Sequence, residues 1–119
     1  MDYRGAFCPI PESGFAMKRY APALLITLLL LFCTACGDVG LAASPFEMFC
    51  QTEKQLRADS PFAFTLTVGY TNDRRGYLPA EECFSNRGYE VESCRFEAGT
   101  AEAVNREHLA MLNDLYAAK

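Results

Sequence analysis

This chain has little that would mark it for nucleic acid, phosphate or serine chemistry. Eleven Lys and Arg against fifteen Asp and Glu give a net charge of -4, with the signs interspersed and no basic stripe. Nucleic acid is therefore excluded as an expected partner. No glycine loop has phosphate-binding spacing and no serine stands in a nucleophile-elbow setting. No repeat or low-complexity tract is present. Cys33 and Cys36 have the spacing of half a zinc ribbon, but no second matching pair completes it. The single histidine, His108, falls among apolar residues at helical spacing and reads as a structural, partly buried side chain. No apolar run reaches the roughly 18 uninterrupted residues that a spanning helix needs, so an uncleaved anchor is the weaker of two readings for the one apolar segment.

That segment begins at Met17. Lys18 and Arg19 precede a leucine-rich stretch from Ala21 to Phe32, followed by small residues and Cys36-Gly37-Asp38. Charge, apolar run and small residues, in that order, make residues 17–36 a secretory signal, possible start codon included, and residues 1–16 an over-long N-terminal extension. Thr34-Ala35-Cys36-Gly37 has the form of a lipoprotein cleavage site that would place a lipid on Cys36, although Cys33 replaces the usual leucine. Lipidation and ordinary secretion both stand, and either predicts an exported protein, periplasmic or anchored to the membrane. Without the leader about 80 residues remain, a size at which one core supplies only about 3–5 kcal/mol unless it is stapled. Cys50, Cys83 and Cys94 would be left, an odd number that allows one disulfide and a free thiol without fixing the pair.

From Ser44 the pattern is that of a folded α/β unit of helix, strand, loop, strand and helix. Ser44-Pro45-Phe46-Glu47 has the residues of a capping box with proline at the first helical position, so a helix is expected from there to Asp59, ahead of Pro61. Phe62 to Tyr70 alternates apolar residues with small or polar ones and predicts a strand. Thr71 to Gly76 is a polar turn that delivers Tyr77 to a loop at the strand's end. A short helical turn over Pro79–Phe84, a weaker strand over Tyr89–Phe96 and a helix capped by Thr100 follow. That last helix carries Val104, His108, Met111, Leu112 and Leu115 on one face.

Ser44-Pro45-Phe46-Glu47-Met48-Phe49, Ala58-Asp59-Ser60-Pro61-Phe62, Thr71-Asn72, Gly76-Tyr77-Leu78-Pro79-Ala80-Glu81-Glu82 and Gly88-Tyr89-Glu90-Val91-Glu92 occur in this order. They resemble the C-terminal end of the catalytic domain of neutral ceramidase-like zinc amidohydrolases, over residues 44–117. The resemblance makes 44–119 a partial catalytic domain. It implies hydrolysis of an N-acyl amide such as ceramide, with zinc held by two histidines, a glutamate and a tyrosine. Glu47 matches the zinc-binding glutamate, Tyr77 the zinc-binding tyrosine, and Tyr89 a tyrosine beside the substrate. Phe46 stands where the family carries glycine and is expected to crowd the metal. The two histidines belong to an upstream segment outside this sequence, so zinc is expected only if that segment is supplied, and the chain is expected to be inactive alone.

Each residue also has a plainer role. Glu47 could close a capping box, Tyr77 could cover a sheet end, and Tyr89 could pack its ring with the hydroxyl in water. Glu81 and Glu82 are adjacent, point apart on a helix and suit a solvated helix start. A second functional class is a small exported lipoprotein serving as a non-catalytic interaction module. A third outcome is a product that does not fold, exposing Phe62, Phe64 and Leu66.

Overall fold

The computed structural model describes residues 31–119; the extension over 1–16 and most of the signal segment lie outside the described residues. β1 (Phe32–Cys36) and β2 (Val39–Ala43) form an antiparallel hairpin across Gly37 and Asp38, with Phe32 opposite Ala43 and Cys36 opposite Val39. Next come β3 (Phe46–Met48), α1 (Cys50–Asp59), β4 (Phe64–Val68) and β5 (Gly76–Leu78). A 3-10 helix over Glu81–Asn86, the single-turn helix α2 (Tyr89–Glu92) and the long helix α3 (Thr100–Ala117) complete the order. β4 pairs parallel to β2, giving a sheet in the order β1-β2-β4, while β3 and β5 pair in parallel as a second, two-stranded sheet. Mixed α/β is therefore the fold class, as the element pattern implies.

Four local expectations are corrected. Tyr77, expected on a loop, lies in β5 and pairs with β3. Ser44, Pro45 and Glu47 do not open a helix, because Phe46–Met48 is a strand and α1 starts only at Cys50, with Phe49 as a cap that makes no side-chain bond. Pairing overrides the capping pattern there: Ser44 N–H donates to Val68 O at 3.0 Å, Thr71 N–H to Ser44 O at 2.9 Å, and Arg75 N–H to Pro45 O at 2.8 Å. Tyr89–Phe96 is not a strand, since Glu92 N–H and Ser93 N–H donate to Gly88 O and Tyr89 O and close a helical turn instead. Thr100 does not cap α3: Gly99, in the left-handed region at φ 86°, holds that place, and Thr100 Oγ1 donates to Glu97 O.

The segment read as a leader has a further property. Its last five residues are β1, all paired with β2, and Leu31 just before them is buried with Phe46, Leu78, Ala101 and Val104. Ala42, Leu56, Phe62 and Leu112 form a second cluster, with Cys33 against it. α3 contributes to both clusters, as its apolar face predicts, through Val104 and Leu112. Between them His108 is 1% exposed, with Nε2 3.1 Å from Ala43 O.

Helices α1 and α3 cover one face of the three-stranded sheet. Register places Val39 beside Phe64 and Ala43 beside both Phe32 and Val68. Phe32, Val39, Phe64, Leu66 and Val68 are all exposed, Phe64 at 70% and Leu66 at 52%, while Thr65 on the helix side is buried. Phe62, by contrast, is buried, with its ring edge-on to Tyr116 at 5.2 Å. Among the described residues nothing covers the apolar face of a parallel pair, an arrangement that normally buries both sides.

Candidate functional site

Alternation along β3 sends Phe46 inward and Glu47 outward. Phe46 was expected to crowd a metal at Glu47; it is fully buried, with Phe96 edge-on at 5.2 Å, so its bulk lies in the core on the other side of the strand from the Glu47 side chain. In the parallel register Glu47 is the direct partner of Tyr77. Gly76 precedes that tyrosine at φ 89°, a backbone conformation that side chains other than glycine rarely adopt, and it allows β5 to turn in beside β3.

A third group joins them from the end of β4. Gly69 passes so close to β3 that a Cβ would sit 2.8 Å from Phe46 O. Tyr70 N–H then donates to that carbonyl at 3.2 Å. Tyr70 takes the left-handed region at φ 51°, unusual for a bulky residue. Its hydroxyl thereby reaches Glu47 Oε2 and donates to it, and the Arg74 guanidinium lies 5.7 Å from the ring centre. Sequence reasoning passed over Tyr70 because its place in the alternation made it the last apolar residue of a strand. The signal was available in Gly69 before it and the polar turn after it.

Tyr89, at the start of α2, packs edge-on to Tyr77 with ring centres 6.0 Å apart. Glu47, Tyr77, Cys50 and Glu90 line an open cleft of about 350 Å³. The negative charge of Glu47 is the main cause that raises the Tyr77 phenol above its ordinary value, with desolvation second; the hydrogen bond to Glu47 is the main cause for Tyr70. The cleft therefore sets one phenol, Tyr77, beside two carboxylates, Glu47 and Glu90, with Tyr70 held to Glu47 from outside it.

Other candidates lie elsewhere. Cys36 is exposed at the end of the β1–β2 hairpin. His108 is in the core, with desolvation lowering its pKa against the smaller opposing effect of Ala43 O. Glu81 and Glu82 begin the 3-10 helix, away from the tyrosines. Cys33, Cys36, Cys50, Cys83 and Cys94 are all free, and burial pushes the Cys33 thiol up to about 11. No helix among the described residues is long and apolar enough to cross a membrane.

Carboxylate and phenol oxygens are both acceptable zinc donors, and Glu47 with Tyr77 fits one side of such a centre. They do not complete it: no three His, Cys, Asp or Glu side chains among the described residues could together hold a metal.

The solved structure of a ceramidase complexed with C2 superposes on this fold with a TM-score of 0.67. Identity is 18% over 73% of this chain, and the matched part is 15% of that ceramidase. The chain thus has the fold of one segment of that protein. No family model and no curated protein matches the sequence.

Proposed function

We propose that this chain is one segment of a ceramidase-like, zinc-dependent amidohydrolase acting on an N-acyl amide such as ceramide, and that it is inactive without the remainder. The observation that carries this reading is the pairing of Glu47 with Tyr77 across β3 and β5, with Tyr89 against Tyr77. These are the three residues that the family resemblance singled out, and the fold likeness to a ceramidase supports the same reading.

In this proposal Glu47 and Tyr77 supply two of zinc's ligands and an upstream segment supplies the two histidines. Zinc, when bound, supplies Lewis-acid activation of water and of an amide carbonyl. Tyr70 holds the Glu47 carboxylate through its hydroxyl. Tyr89, packed on Tyr77 and exposed beside the cleft, offers an aromatic surface suited to the apolar part of an amide substrate. The bare face bearing Phe64 and Leu66 is where the remainder packs, which accounts for apolar side chains that a self-sufficient small protein would not leave in water.

The chain is proposed to be exported and to meet its lipid substrate at a membrane. Cleavage ahead of Cys36 would remove Leu31 and four of the five residues of β1. Removal of residues up to Cys36, with or without a lipid, and an intact sheet are thus alternatives, which favours export with this end of the leader retained. Co-expression with a histidine-bearing ceramidase-like segment, followed by assay of fatty-acid release, tests the proposal. It expects activity that a chelator abolishes and zinc restores, lost in Glu47→Gln; a soluble complex with no zinc-dependent amide hydrolysis would overturn it.

A further inference from the structure

On the other side of α1 lies an open cavity of about 450 Å³ between α1, the 3-10 helix and α3. Thr52, Gln55, Glu81, Glu82, Glu102 and Asn105 line it, and no Lys or Arg does. Thr52 and Asn105 are only 5% and 7% exposed, yet each leaves an oxygen without a partner, Thr52 Oγ1 and Asn105 Oδ1. Glu102 Oε2 is a third buried oxygen in the same condition.

Two of these oxygens are held in place by the other polar atom of their own side chain. Asn105 Nδ2 donates to Thr52 O at 2.7 Å, which fixes the amide's orientation and leaves Oδ1 as the free end. Glu102 Oε1 accepts the Glu81 N–H at 2.9 Å and leaves Oε2. Glu102 and Asn105 are three residues apart on α3 and so share one face. Buried polar atoms are almost always satisfied by protein, water or an ion, and these three oxygens belong to residues that line one cavity with no cationic side chain, a setting that favours a positively charged ligand.

We propose that this cavity holds a hard divalent cation, and that calcium suits it best. Calcium accepts six to eight oxygens from carboxylates, amide carbonyls, hydroxyls and waters without demanding strict geometry. Thr52, Glu102 and Asn105 supply the inner oxygens, and Glu81 and Glu82 add negative charge at the mouth. One buried carboxylate with neutral oxygens makes a weak site, with dissociation constants of about 10⁻⁴–10⁻³ M expected for such open modules. It is also a poor zinc site, which would draw on nitrogen or sulfur donors. The ion would tie α1 to α3, the two helices that cover the sheet, independently of whether Glu47 and Tyr77 ever bind zinc.

Chelator-treated full-length chain, titrated with calcium chloride at constant ionic strength and followed by thermal melting and calorimetry, tests this. Saturable binding is expected, with a melting temperature that climbs with calcium concentration because the ion binds the native state. Affinity should fall about tenfold in Glu102→Gln and in Thr52→Val, and stay unchanged in Glu47→Gln, which alters only the other cleft. No calcium-dependent shift beyond that of sodium chloride, or a shift in Glu102→Gln and Thr52→Val as large as in the wild type, would overturn the site.

Discussion

Glu47 sets the protonation of its surroundings, and this is measurable one residue at a time. Its charge and its hydrogen bond hold the Tyr77 and Tyr70 phenols above their ordinary values. In Glu47→Gln both tyrosines are expected to ionise at lower pH, read from the phenolate absorbance; an unchanged titration would mean that the carboxylate does not face them. His108 gives a second test. Burial lowers its pKa below the ordinary 6.5, so as pH falls the unfolded chain takes up the proton first. The stability it protects is full above about pH 6.5 and declines below that value, toward the lower folded pKa. Denaturant midpoints at pH 7.5 and pH 5.5 should differ in the wild type and differ less in His108→Leu. Thiol labelling should be fast at exposed Cys36 and Cys50 and slowest at Cys33, whose thiol is raised to about 11. At this scale the three residues that the resemblance named, Glu47, Tyr77 and Tyr89, are neighbours in the fold. Tyr70 was missed, because the alternation extends to it and the only signs of its turn are Gly69 before it and the polar residues after it.

Elements were legible where periodicity was long and misread where pairing decided. α3 follows from its apolar face, and β4 from its alternation, although Thr65 rather than Phe64 or Leu66 turned out to be the buried side. Alternation gives two faces but does not say which one a helix will cover. Ser44-Pro45-Phe46-Glu47 carried every local sign of a helix start, and β3 formed instead because Phe46 is worth more in the core than a capping box is at the surface. The leucine-rich segment ran into β1 for the same reason, as its end fits against β2 and α3. A chain starting at Cys36 is therefore expected to lose its cooperative melting transition, while one starting at Leu31 keeps it; equal melting of the two would show that β1 is dispensable. Gly76→Ala should cost about 1–2 kcal/mol, because alanine must be held in the left-handed region. A denaturant titration measures that cost, and its absence would mean that β5 can enter beside β3 in another conformation.

Among the described residues the fold is one-sided. Two helices protect one face of the central sheet, and the other offers Phe32, Val39, Phe64, Leu66 and Val68 to water. Leu66→Lys should raise solubility of the isolated chain and reduce binding of a hydrophobic dye with little loss of stability, because Leu66 packs on nothing among the described residues; a large destabilisation would show that the face is already covered. The same substitution should abolish assembly with a remainder segment. A fold that matches 15% of a ceramidase, with Glu47 paired to Tyr77 and one bare face, fits the proposal that a further segment completes the domain. The direct test is to sequence the transcript and genomic DNA upstream of Met17 and translate every frame. The account predicts a histidine-bearing ceramidase-like segment in frame or on the same transcript. A transcript and flanking DNA encoding no such segment would contradict it, and Glu47 and Tyr77 would then be packing residues of a separate small protein.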